Sequence, residues 1–189
     1  RILALESTAV AGSVALLDED KLLGEFFCNT KLTHSQTLMP MVEQLFSCTQ
    51  TSLEDVDLFA VTAGPGSFTG VRIGVASVKG MAMALDKPCV GVSTLEAMAQ
   101  NLTFLNGVIC AVMDARCGQV YNALFRVSGG ELIRVDRRSG SFCCAGRGGL
   151  RTARRTAVSC RGWGCPVLCR RSFAAFRLFC CRSPCASSG

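Results

Sequence analysis

The sequence predicts an α/β fold in which a short β-meander leads a sheet covered by helices. Two observations predict it. Three apolar runs near the start, Ile2 to Glu6, Ser13 to Leu17 and Leu22 to Cys28, are separated only by turn-like stretches, as in an antiparallel meander. Further on, an apolar run from Val56 to Thr62 passes through Ala63-Gly64-Pro65-Gly66-Ser67-Phe68-Thr69-Gly70 into Val71 to Leu85, a segment with helical spacing. A strand, a turn rich in glycine and proline, and a helix start bring free backbone N–H groups to one point. An anion or another protein could sit there.

The elements follow in order. Ser7 to Gly12 is small and turn-like, and Asp18-Glu19-Asp20 makes an acidic turn. Thr33 to Gln36 fits a capping box, which starts a helix from His34 to about Phe46 with Leu38, Val42, Leu45 and Phe46 on one face. Pro40 inside that helix removes one hydrogen bond and should bend it. Asp55 and Asp57 sit in the turn before the next strand and read as solvated. After the central helix, Cys89 to Val92 is a strand. Ser93 with Glu96 is a second capping box, opening a helix to about Leu102. Gly107 to Met113 is a strand, and Gln119 to Phe125 with Leu132 to Val135 form a hairpin around Ser128-Gly129-Gly130.

The central helix carries two stripes. Val71, Val75, Val78, Ala82 and Leu85 make an apolar one suited to the sheet, while Gly70, Gly74, Ser77 and Ala84 make a small-residue one. Gly74 and Gly80 each cost roughly 1 kcal/mol relative to alanine in a helix interior, so something should approach the backbone closely. Packing within one domain and contact with a second polypeptide both satisfy that requirement.

The loop and helix, Gly64-Pro65-Gly66-Ser67-Phe68-Thr69-Gly70-Val71-Arg72-Ile73-Gly74, resemble the signature of the TsaB (YeaZ) family, bacterial subunits of the tRNA threonylcarbamoyladenosine machinery. Leu3-Ala4-Leu5-Glu6-Ser7, Thr33-His34-Ser35-Gln36 with Leu38-Met39-Pro40, Lys79-Gly80 and Gly91-Val92-Ser93-Thr94-Leu95 match as well. The resemblance covers about residues 1 to 136. It implies the ASKHA fold (actin, sugar kinase and Hsp70; RNase H-like), with a mixed five-stranded sheet and a truncated second lobe. The expected domains are a first lobe over 1–106, the start of a second over 107–136, and an aberrant tail over 137–189.

The resemblance also implies a job. The chain would be a non-catalytic scaffold that pairs with TsaD, in a complex with TsaE, and with itself when TsaD is absent. ATP and a divalent metal would be held by TsaD, with no cofactor on this chain, and tRNA would be met only through the complex. The contact is expected on His34 to Phe46 and Thr69 to Leu85: His34, Leu38, Val42, Thr69, Gly70, Ile73, Gly74, Ser77, Gly80, Met81 and Ala84. A cytoplasmic location, away from membranes, follows from the same family.

Catalytic readings find less support in the residues. His34 is the single histidine, so no Ser-His-Asp or Cys-His arrangement stands out, and the histidine pair that binds metal in TsaD has no counterpart. Cys89 and Cys110 lie in apolar strand contexts and read as core thiols. Glu6 stands where the ATPases of the fold carry an aspartate near the nucleotide's metal, and reads as a strand-end carboxylate open to water. The glycine loop is not a Walker A loop. Gly64, Gly66, Ser67, Thr69 and Arg72 could still form a weak anion site at the helix start. The competing functions are therefore an M22-like glycoprotease or a free-standing ATP-binding protein.

Composition divides the chain. The net charge of +6 averages residues 1–136, which hold all fourteen acidic residues and nine of the twenty basic ones, with a tail whose eleven basic residues are all arginine. Eight of the thirteen cysteines also fall in 137–189, so the overall basic balance is no sign of nucleic-acid binding by the body. RNA or zinc binding by the tail is compositional only, since no C-x-x-C and no tail histidine give ligand spacing. Nothing resembles a signal peptide. The apolar stretch near Pro166 to Cys181 is broken by Arg170, Arg171 and Arg177, so it is no membrane helix. The expectation is a frameshift near Asp136, leaving the tail disordered or poorly packed, and Arg1 in place of methionine suggests trimming at the start.

Overall fold

The computed structural model describes residues 1–116, 119–135, 140–143 and 167–168. They divide into two compact units between Val92 and Ser93. The sequence puts that boundary between 106 and 107.

In the first unit, β1 (Ile2–Glu6), β2 (Gly12–Asp18) and β3 (Lys21–Cys28) form the meander, followed by α1 (His34–Thr49), β4 (Leu58–Gly64), α2 (Phe68–Ala84) and β5 (Cys89–Ser93). The sheet order is β3-β2-β1-β4-β5. β1 runs antiparallel to β2 and parallel to β4, with Leu3 opposite Leu16 and Phe59, and Leu5 opposite Val14 and Val61. This is the mixed five-stranded α/β sheet that the resemblance implies.

Alternation along the strands sets the layers. Leu3, Leu5, Val14, Leu16, Phe59 and Val61 point to one face, where Leu38, Val42 and Leu45 of α1 and Val78, Met81 and Ala82 of α2 pack on them. Burying each such side chain contributes about 1.5–3 kcal/mol. Ala4, Ala15, Leu17 and Ala60 form a smaller cluster on the opposite face. The Thr33 box holds α1's start: Gln36 Oε1 accepts the Thr33 N–H at 3.2 Å, and the Gln36 N–H donates to the Thr33 carbonyl at 2.9 Å. The helix runs through Pro40 to Thr49, three residues past the expected end, and closes on Gln50 in the left-handed region.

The second unit holds α3 (Thr94–Gln100), β6 (Gly107–Arg116), β7 (Gln119–Ser128), β8 (Glu131–Arg134), β9 (Gly140–Cys143) and β10 (Val167–Leu168). Ser93 caps α3 as expected, its hydroxyl accepting the Glu96 N–H. α3 packs on β6, β7 and β8, which is why it belongs here and not with the preceding sheet. β6, β7 and β8 form an antiparallel set, β9 pairs with β7, and β10 pairs parallel to β6. Apart from these two short strands, the readings made for 137–189 lie outside the described residues. One expectation is overturned in both units. Cys89 opens edge strand β5 and is exposed, and Cys110 is half-buried, so neither is a core thiol. Among the described residues, no helix is long and apolar enough to cross a membrane.

Candidate functional site

The site is built where β1 ends and α2 begins. After Leu5 the strand ends at Glu6 and the chain passes on through Ser7 and Thr8, all three buried and all polar. A strand end in that state must find its hydrogen bonds inside the protein. The Ser7 hydroxyl donates to the Gly70 carbonyl at 2.9 Å, and the Thr8 carbonyl accepts the Ser67 N–H at 2.7 Å. Both bonds reach the first turn of α2, so the glycine loop is tied down on this strand end.

Those ties explain the glycines. A Cβ on Gly70 would overlap the Ser7 carbonyl oxygen, and one on Gly74 would overlap the Ser7 hydroxyl. At Gly66 it would lie 2.5 Å from the Thr8 Cβ and carbonyl oxygen. Gly64 has φ +108°, a left-handed backbone that favours glycine, and its bond to Pro65 is cis. The small stripe is thus split, with Gly70 and Gly74 turned inward onto β1. Of the stripe expected against the sheet, Val78 and Ala82 are buried and Val75 and Leu85 pack half-buried on the same core, while Val71 is half-buried; Gly70, Gly74 and Met81 join the inward face.

Five of the expected contact residues are buried by their own unit: Leu38, Val42 and Met81 lie in its core, and Gly70 and Gly74 are covered by Ser7. Ile73 packs against the same core and is half-buried, as is Ser77. His34 is also partly enclosed. Its Nε2 meets the Ala9 carbonyl at 2.8 Å, and its ring lies beside the positions a Cβ would take on Gly12 and Gly70. The histidine pins the start of α1 to the β1–β2 turn and to α2.

Other residues of α2 remain outward. Thr69, Gly80 and Ala84 are exposed, joined by Phe68 at 70 % and Met83 at 84 % exposure, with Arg72, Ala76 and Lys79. A Cβ on Gly80 would meet nothing within 4 Å. The Arg72 guanidinium lies over the Phe68 ring, 3.8 Å from its centre. Phe68 and Met83 were missed in the sequence because a large apolar residue in a helix reads as core until its facing is known.

Part of the expected anion site is engaged by the protein itself. Ser67 Oγ accepts the Gly70 N–H at 3.4 Å, its own N–H goes to Thr8, and its carbonyl accepts from Val71. With Arg72 stacked on Phe68, the loop reads as a packed turn, although Gly64, Gly66 and Thr69 lie where the sequence put them.

Glu6 departs most from expectation. It is 2 % exposed, so it is not open to water. Its Oε1 accepts the Thr8 N–H and hydroxyl, while Oε2 has no hydrogen-bond partner, and neither does the Thr62 hydroxyl. Burial pushes the Glu6 carboxyl above the usual carboxylate range. The Thr8 hydrogen bonds, with weaker help from the His34 charge, pull the other way and lose.

A family model described as TsaD, tRNA N6-adenosine threonylcarbamoyltransferase, matches residues 28–139. The chain is 40 % identical over 134 residues to the TsaB biosynthesis protein of Bacillus subtilis, covering 71 % of this chain and 58 % of that one. It belongs to the TsaB/YeaZ family. The Escherichia coli TsaB protein is 41 % identical over 129 residues, with 67 % of this chain and 55 % of the relative covered. A solved structure of YeaZ from Pseudomonas aeruginosa superposes with TM-score 0.66 at 34 % identity, over 75 % of this chain and 65 % of that one. The chain spans a little over half the length of these TsaB relatives. The stretch matched by the family model, 28–139, takes in the glycine loop and α2.

Proposed function

We propose that this chain acts in making N6-threonylcarbamoyladenosine in tRNA, as a non-catalytic subunit that binds TsaD and holds it in an active arrangement. In the absence of TsaD the same surface pairs two copies of the chain. TsaE joins the complex, ATP and a divalent metal belong to TsaD, and tRNA is met through the assembly in the cytoplasm. The observation that carries this reading is the outward face of α2. In a chain of the TsaB family, Phe68, Thr69, Arg72, Ala76, Gly80, Met83 and Ala84 leave a long, mostly apolar and small-residue surface uncovered by their own unit. A helix partner can approach closely at Ala76, Gly80 and Ala84, while Phe68 and Met83 supply the large side chains that anchor interfaces.

Co-purification with TsaD from a cell making both tests this. Gly80→Leu adds bulk where a Cβ meets nothing, so the chain keeps its fold. Met83→Glu places a charge on the same face. Each should weaken TsaD binding by tenfold or more, about 1.4 kcal/mol, and lower threonylcarbamoyladenosine in tRNA. Two folded variants that bind TsaD as well as the unaltered chain does would rule the face out.

A further inference from the structure

We propose that Glu6 is a neutral carboxylic acid in the folded chain, and that loss of its proton loosens the tie between the end of β1 and the start of α2. The inference stands on the geometry of the strand end and is independent of any partner. Among the described residues Glu6 is the one buried side chain of the charged kind. An ionised carboxylate offers about four acceptor positions and no donor. Here Thr8 fills positions on Oε1 alone, and Oε2 is left empty in a site closed to water. Leu5 pairs with Val61 across the parallel strands, so Glu6 and Thr62 are the next positions along, each with an unpartnered oxygen. A proton on Oε2 converts that oxygen to a donor toward the Thr62 hydroxyl and removes both deficits together.

The surroundings do little to hold a charge. β2 presents Ser13 opposite Glu6, β4 presents Thr62, and the loop before α2 reaches it only through the Ser67 N–H on the Thr8 carbonyl. From α1 comes His34, whose positive form would favour ionised Glu6, but its ring is committed to the Ala9 carbonyl. Burial outweighs these influences. When Glu6 does ionise, the bare Oε2 must recruit water, and water at that point competes for Thr8. Thr8 releases Ser67, and with Ser67 goes the cap on the Gly70 N–H.

The sign follows from linkage. A carboxyl held above its unfolded value of 4.5 stabilises the fold fully below that value, and the contribution is lost as pH rises through the folded value. The test compares urea denaturation of the full chain with that of Glu6→Gln, from about pH 5 to about pH 8.5, which isolates what the Glu6 carboxyl contributes. The unaltered chain's midpoint should fall relative to the variant's as pH rises, with the protection of the Ser67 and Gly70 amides against exchange falling about tenfold or more relative to the variant at the same pH. Parallel profiles would overturn the proposal. Should Glu6→Gln fail to fold, the carboxyl 13C resonance of Glu6 in the unaltered chain decides. Its titration midpoint should lie above the ordinary value of 4.5, and a midpoint at or below that would end the idea.

Discussion

Gly74 and Gly80 lie on one helix, both look unfavourable there, and the structure gives them opposite surroundings. Gly74 is buried, its missing side chain replaced by the Ser7 hydroxyl of a neighbouring strand, whereas Gly80 faces outward with nothing near its Cβ position. The first glycine is spent on the inside of its own domain, and the second is left over for something outside it. A stripe of small residues is therefore two features joined end to end. What separates them is helix phase, since six residues at about 100° each put Gly80 about 120° round the helix from Gly74, away from the buried face.

The largest effect should come from the inward half. In Gly70→Ala the new methyl group meets the Ser7 carbonyl oxygen, which is backbone and cannot step aside, so α2 must shift off the sheet. A loss of about 3 kcal/mol or more is expected, read as a lower urea midpoint. Gly74→Ala meets the Ser7 hydroxyl instead, a side chain that can be removed. It should cost about 1–3 kcal/mol, and adding Ser7→Gly should recover much of that cost in the Gly74 variant and little in the Gly70 variant. Equal rescue of both would mean that the two glycines do not answer to different atoms of Ser7.

His34→Ala comes next. It removes the bond to the Ala9 carbonyl and the ring that fills the space between Gly12 and Gly70, for an expected loss of about 1–3 kcal/mol. A peptidase or metal role would instead show as lost activity in a chain of unchanged stability, so thermal and urea unfolding separate the two.

Much of this was legible in the chain and some of it could not be. The three strands of the meander, the Thr33 capping box, the Ser93 cap and the strand–loop–helix junction fall within a few residues of their expected places, because period, caps and turn residues are local signals. The facing of α2 was legible in part. Of its apolar stripe, Val78 and Ala82 are buried and Val75 and Leu85 pack against the core, but the buried face also takes in Gly70, Gly74 and Met81, where Ser7 needs space. Only a contact between residues far apart in sequence could show that. Glu6 failed for the same reason. A carboxylate at a strand end looks solvated until Thr8, Ser13 and Thr62 close around it. Leu38, Val42 and Met81, expected at a partner, are apolar residues whose own core claimed them.

The smallest expected effect sharpens the comparison furthest, because its sign is opposite. Gly80→Ala adds a methyl group where nothing stands within 4 Å, in the interior of a helix that already has its cap and its packed face. The substitution removes glycine's entropy cost without adding a clash, so the isolated chain should gain up to about 1 kcal/mol. The same methyl group, placed at Gly74, should lose stability. If the outward half of α2 is a docking surface, the gain at Gly80 comes with weaker TsaD binding, since a close helix neighbour would meet the added carbon. A chain stabilised by Gly80→Ala with undiminished binding would show that the glycine is not there for a partner, and the contact would then have to centre on Phe68 or Met83.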